Sequence, residues 1–190
     1  MSTQLNGIKL MVEEHVLIKR MLKVLRNASY MAIQTGGINY DDFAEMIDFV
    51  RSYADRHHHG KEELLLFNEM VAHGGPAAEK LVTHGMLVEH DLGRLHMAEL
   101  EKALKAHQEG DLESIVDIVA NAVSYTHLLH RHIDKEDGVV YPFAERSLDA
   151  ALLSEIDKKC EAFEKEADVK GIQAHFTLVL EKLESKYIMK

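Results

Sequence analysis

One pattern limits what this chain can fold into: a histidine followed four residues later by a glutamate, occurring twice. The first copy is His58-His59-Gly60-Lys61-Glu62-Glu63 and the second is His132-Ile133-Asp134-Lys135-Glu136-Asp137. Both read His-x-x-Lys-Glu-acid, and an aromatic follows five residues after each Glu, Phe67 and Tyr141. Residues four apart lie on one face of a helix, about one turn from each other. A helical bundle that binds two metals needs such a unit from each of two helices.

The surrounding sequence supplies helices to carry these units. From about Leu5 to Gln34, Ile8, Met11, Val12, His15, Ile18, Leu22 and Leu25 form a helical stripe, closed by Thr35-Gly36-Gly37. Asp41-Asp42 suit the start of a second helix, which runs through Phe43, Ile47, Val50 and Ala54 to about Val71. Pro76 fits the first turn of a third, from about Ala77 to His107. Asp111 reads as the N-cap of a fourth, from about Leu112 to Lys135, with Gly138 and Pro142 near its end. Short loops between long helices predict an all-α, antiparallel up-down-up-down four-helix bundle. Residues 1–146 make that bundle. Ala150 to Glu166 and Ile172 to Tyr187 read as a C-terminal helical hairpin, within residues 147–190, packed on it or pairing two copies of the chain.

The two halves repeat. Met11-Val12-Glu13-Glu14-His15 matches Met86-Leu87-Val88-Glu89-His90, with a base four residues after each His, Lys19 and Arg94. The repeat singles out His15, His58 and Glu62 in one half and His90, His132 and Glu136 in the other. Two glutamates can bridge two metal ions and neutral imidazoles can complete their shells. Iron suits this mixture, and manganese or zinc could also occupy it.

Bulk properties narrow the partners. A net charge of -10 argues against nucleic acid and against an anionic membrane surface. Cys160 is the single cysteine, so no internal disulfide is expected. No basic-then-apolar leader reads from the start and no apolar run approaches a membrane span, so the expectation is a cytoplasmic protein.

On these residues the chain resembles the hemerythrin-like, HHE-type cation-binding family, over about residues 5 to 146. The family pattern is a His on helix one, His-x-x-x-Glu on helix two, a His on helix three and His-x-x-x-Glu on helix four. His15, His58 with Glu62, His90, and His132 with Glu136 stand at those places. The resemblance implies a non-haem di-iron centre with two bridging carboxylates, able to react with dioxygen or a related small oxidant such as nitric oxide or peroxide. Sensing, storage and detoxification are all open roles. A helical interaction module with a structural metal, or a di-iron oxidase or catalase-like enzyme, are the alternatives. Oxygen carriers have a further His on helix three, where Met86 stands here, which points away from reversible carriage. His59 is a candidate to replace that ligand, since its repeat partner is the apolar Ile133. Asp137 stands where carriers use an Asp, but Glu136 keeps the spacing of His58 and Glu62 and is preferred.

The chain holds 13 histidines, so spacing rather than number must choose among them. His57, His73, His84, His107, His127, His130 and His175 have no matching positions and read as surface or supporting residues; His96 points elsewhere. Met11, Met86, Tyr53 and Tyr125 read as packing, Glu13, Glu14 and Glu89 as solvated. Lys61 and Lys135 read as solvated residues at helix ends, and Cys160 as inert and outside the bundle.

Overall fold

The structure is a computed structural model that describes residues 6–188; the expected helix start at Leu5 lies outside them. Six helices account for nearly all of the described chain, with no strand among the described residues. They are α1 (Gly7–Thr35), α2 (40–73), α3 (75–108), α4 (112–147), α5 (Ala150–Val169) and α6 (Ile172–Tyr187).

Local chemistry sets the ends. The Asn6 side chain accepts from the Lys9 N–H, and Asn39 accepts from the Asp42 N–H, so Asn39 rather than the aspartates caps α2. Gly36 closes α1 at φ 67, a left-handed turn open to glycine. Asp111 does not cap with its side chain; its carbonyl takes the Ser114 N–H and hydroxyl instead. Helix α4 outruns the expected end at Lys135. It passes Gly138 and Pro142 and stops at Ser147.

Three of the long helices are locally underwound, with hydrogen bonds of the i→i+5 kind. These π-helical stretches are Phe49–His59 and Glu62–Phe67 in α2, Val82–Met86 in α3 and Glu136–Val140 in α4. The one in α4 ends just before Pro142, where a proline would otherwise drive its ring into the carbonyl four residues back. The others have no proline downstream within the helix.

The long helices pack pairwise, α1 with α4, α4 with α3, α3 with α2 and α2 with α1. Two apolar cores result. The larger holds Leu22, Leu25, Phe43, Phe49, Leu100 and Ile118. The smaller holds Met11, Phe67, Met70, Val82, Met86 and Tyr141. The C-terminal helices enter both: Phe176, Leu180 and Leu183 of α6 join the larger, Ile156 and Cys160 of α5 the smaller. Cys160 thus lies off the four long helices but inside a core, against Gly7. A Cβ at Gly7 would meet the Cys160 sulfur at 2.7 Å.

Polar ties hold the hairpin. Arg20 donates two hydrogen bonds to Glu184, at 2.9 and 2.6 Å. Lys186 and the Tyr187 hydroxyl both donate to Asp42. None of the described helices is long and apolar enough to cross a membrane.

Leu180 is wholly buried and Leu178, on the same helix, is 67% exposed. Leu180→Ala is expected to destabilise the protein by about 2–5 kcal/mol and Leu178→Ala by less than about 0.5 kcal/mol, read by urea denaturation.

Candidate metal centre

Between the two apolar cores lies one polar layer. Along α1, His15 falls between Met11 of the smaller core and Ile18 of the larger. On α2, His58 falls between Ala54 and Leu66; on α3, His90 between Met86 and Met97; on α4, Glu136 between Ile133 and Val140. Helical spacing puts each polar residue in the apolar stripe at this level. His15, His58, His59, Glu62, His90, His132 and Glu136, the seven residues singled out from the sequence, are all buried here.

Their ligand atoms converge as two groups. In one, His15, His58, Glu62 and Glu136 each place an atom within 4.8 Å of the others. In the other, His59, Glu62, His90 and His132 do the same. The Nε2 atoms of His15 and His58 are 2.9 Å apart, and those of His90 and His132 are 3.0 Å apart. Glu136 turns Oε2 towards His15 Nε2 at 3.3 Å and Oε1 towards His132 Nε2 at 2.9 Å. Glu62 Oε2 is 3.8 Å from His58 and 3.6 Å from His90. Both glutamates therefore stand between the groups. The ring of His59 stacks on that of His90, centroids 3.8 Å apart.

Outside this set is a ring of carboxylates, one for each of the four repeated histidines. His15 Nδ1 donates to Asp137 at 2.7 Å, His90 Nδ1 to Glu63 at 2.7 Å, His58 Nδ1 to Glu14 at 2.8 Å and His132 Nδ1 to Glu89 at 3.0 Å. In a neutral imidazole such a bond fixes the tautomer and leaves Nε2 as a lone-pair donor aimed inward. Asp137 and Glu63 are repeat partners, as are Glu14 and Glu89. A cation backs each carboxylate in turn: Lys19 on Asp137, Arg94 on Glu63, Lys61 on Glu14 and Lys135 on Glu89. The internal repeat thus extends through three layers of side chains.

This ring corrects two readings of the sequence. Glu14 and Glu89 are not solvated but hold the ligand-type histidines on the neighbouring helix. Lys61 is not at an exposed helix end: none of its side chain is exposed, against 47% for Lys135. Of the two roles left open for His57, surface or supporting, the structure gives the second: it is buried on Glu14 as well, with Nε2 3.0 Å from its Oε1. The wider winding of Phe49–His59 narrows the angle between successive side chains, which lets His57, His58 and His59 all turn inward. His107 is buried too, but far along α3, against the Tyr40 hydroxyl at 2.7 Å. His73, His84, His127, His130 and His175 are exposed. Tyr53 and Tyr125 pack in the larger core.

Sequence reasoning passed over Tyr141. Its hydroxyl donates to Glu62 Oε1 at 2.5 Å, and its ring stacks on His15 with centroids 5.8 Å apart. The signal was present, because its repeat partner Phe67 lacks the hydroxyl.

The layer is unbalanced as protein alone. Glu62 Oε2 and both oxygens of Glu136 are buried and accept no hydrogen bond of good geometry. Burial, then the charge of Glu136, holds the Glu62 carboxyl well above the usual range. Burial acts the same way on Glu136, but His132 beside it outweighs this and keeps Glu136 well below that range. His132 is raised to about 9: burial opposes this, and Glu136 overcomes it. Burial lowers His58 to about 4, and burial with His90 holds His59 well below the usual imidazole range. Facing ring nitrogens, orphaned carboxylate oxygens and the neutral imidazoles of His58 and His59 fit cations of the transition-metal type.

In metal-free protein Glu62 keeps its proton folded and loses it near 4.5 unfolded. It therefore erodes stability as pH rises above 4.5, by up to about 1.4 kcal/mol per unit. Glu62→Gln removes that term. The stability of chelator-treated Glu62→Gln relative to the unaltered chain is expected to rise between pH 5 and 7.5, read by denaturant titration. A constant difference would contradict the assignment.

Comparison with known proteins agrees with the geometry. Searches of curated proteins and of solved structures returned no match. The family model of the hemerythrin HHE cation-binding domain matches residues 6–144, which includes every residue of the polar layer. With most of its length matched, this chain belongs to the hemerythrin HHE cation-binding family.

Proposed function

We propose that this chain is a non-haem di-iron protein that binds dioxygen or a related small oxidant. His15, His58, His59, His90, His132, Glu62 and Glu136 are the ligands in this reading, and α1 to α4 are an antiparallel up-down-up-down bundle around them. The observation that carries it is the pair of His/Glu groups that share Glu62, with Glu136 directing one oxygen to each side. Manganese or zinc are the alternative occupants of the same donors.

The two groups are unequal. One offers the imidazoles of His15 and His58; the other offers His59, His90 and His132. The first is one donor poorer, and an outside ligand fits that side. Iron, when bound, supplies the electrons and the vacant coordination position that a small oxidant needs. The chain supplies the rest. The apolar cores exclude bulk water above and below the layer. The outer carboxylates fix each imidazole, and Tyr141 holds a proton at Glu62 Oε1. A cleft of about 520 Å³, bordered by His59, Gly60, Glu63, His90, Gly93 and Arg94, reaches the three-histidine side of the layer, so a diatomic or peroxide entering there meets His59 and His90 before the two-histidine group.

A sensing role fits this arrangement. Loss of the cations would leave buried carboxylates uncompensated and weaken the layer on which both cores rest. The acidic composition and single cysteine fit a reducing, cytoplasmic setting. Pairing of two copies would use the exposed Val169 and Leu178 of the C-terminal helices.

Protein purified from iron-supplemented cells is expected to carry about two iron per chain and to develop near-ultraviolet charge-transfer absorption in air. His58→Ala and His132→Ala should each lower the iron content by at least half. Purified protein without a bound transition metal would overturn the proposal. Loading ferrous ion anaerobically should release protons from Glu62 and His132, so affinity should rise with pH up to about 9. Competition with a chelator across pH 6–9 reads this.

A further inference from the structure

A third cluster of ligand-type groups lies beside the polar layer: Glu14 of α1, His57 of α2 and Glu164 of α5, with ligand atoms within 4.8 Å of one another. By spacing alone it is a cation site. The Lys61 ammonium already occupies it, bonded to both Glu14 and Glu164 and 3.2 Å from His57 Nε2. Phe163 covers it, with the ammonium 5.7 Å from the ring centroid. Gln173 of α6 donates to the other oxygen of Glu164.

The position of Glu14 gives this cluster its meaning. One oxygen, Oε1, faces Lys61 and His57; the other, Oε2, takes the His58 Nδ1–H at 2.8 Å. The chain Glu164–Lys61–Glu14–His58 therefore runs without a break from the C-terminal hairpin to an imidazole of the two-histidine group. The repeat provides the comparison. Lys135–Glu89–His132 copies the inner three members, but Lys135 is half exposed and no further carboxylate lies on it among the described residues. A solvated ammonium contributes little to its pair, whereas a buried one between two buried carboxylates cannot be removed without leaving them facing each other.

We propose that Lys61 and Glu164 are positioning residues for the His15/His58 half of the metal centre, through which the C-terminal hairpin sets the affinity of that half alone. Lys61 is the built-in cation of a third site, and the chain takes two metal ions rather than three. The coupling is reciprocal: whatever shifts α5 changes metal affinity, and metal binding steadies α5. The proposal rests on the di-iron reading above.

The test is anaerobic titration of the full-length protein with ferrous ion against a competing chelator, resolving two binding steps. Lys61→Met is expected to weaken one step by about tenfold or more and leave the other in place. Glu164→Gln should weaken the same step by a smaller factor, and Lys61→Arg should recover most of the loss. Lys135→Met should shift either step by less than about threefold. Amide hydrogen exchange around Glu164 should slow on metal loading in the unaltered chain and not in Glu164→Gln. Equal losses from Lys61→Met and Lys135→Met, or two unchanged steps in Glu164→Gln, overturn the inference while leaving the di-iron reading intact. Failure of the unaltered chain to take two ferrous ions overturns both. If Lys61→Met does not fold, Glu164→Gln with the exchange readout decides.

Discussion

Two carboxylates buried side by side govern this structure. Glu62 and Glu136 lie in one plane between two apolar cores, and neither finds enough hydrogen bonds within the protein. Isolated ionised carboxylates in such a place cost far more than one side chain can return. The chain meets this cost in stages. Imidazoles approach the glutamates, carboxylates hold the imidazoles, and ammonium or guanidinium groups hold those carboxylates. Charge alternates outward until it reaches solvent. Only the innermost stage leaves carboxylate oxygens without partners, and that shortage fits the layer to cations better than to a structural ion-pair network.

The repeat explains how such a network can be encoded economically. Each half supplies an acid and a histidine on one helix, then a histidine, a lysine, a glutamate and a second acid on the next. Each helix pair then crosses over: the acid before His15 serves His58, and the acid after Glu136 serves His15. Three departures break the two-fold relation. His59 stands against Ile133, Tyr141 against Phe67, and buried Lys61 against exposed Lys135. All three bear on the difference between the two halves, and two of them arise on α2, which with α1 packs against α5.

Much of this was legible in the sequence. Apolar periodicity and glycine and proline breaks located the helices, and the duplicated spacing located the residues of the layer. The outer carboxylates were visible as residues but not as partners, because Glu14 next to Glu13 gives no sign of which one turns inward; the structure buries Glu14 and leaves Glu13 exposed. The burial of Lys61 was illegible for a related reason. It depends on Glu164, about a hundred positions later, and on how the hairpin lies. The inward turn of His57 depends on winding that no proline or glycine announces within Phe49–His59. Tyr141 was readable by comparing the halves at one more position.

The π-helical stretches have a consequence of their own. Helix α1 is regular over its 29 residues, while the other three contributors each carry surplus residues near the level of the glutamates. A surplus residue can be relocated along a helix without unfolding it. Tightening 136–140 to ordinary α-winding would swing everything beyond it by about 100°. The phenol of Tyr141 would leave Glu62, while His132, upstream, would stay put. Ligand geometry here is therefore a matter of register as much as of residue type, and a one-residue slip is the smallest motion that could switch it.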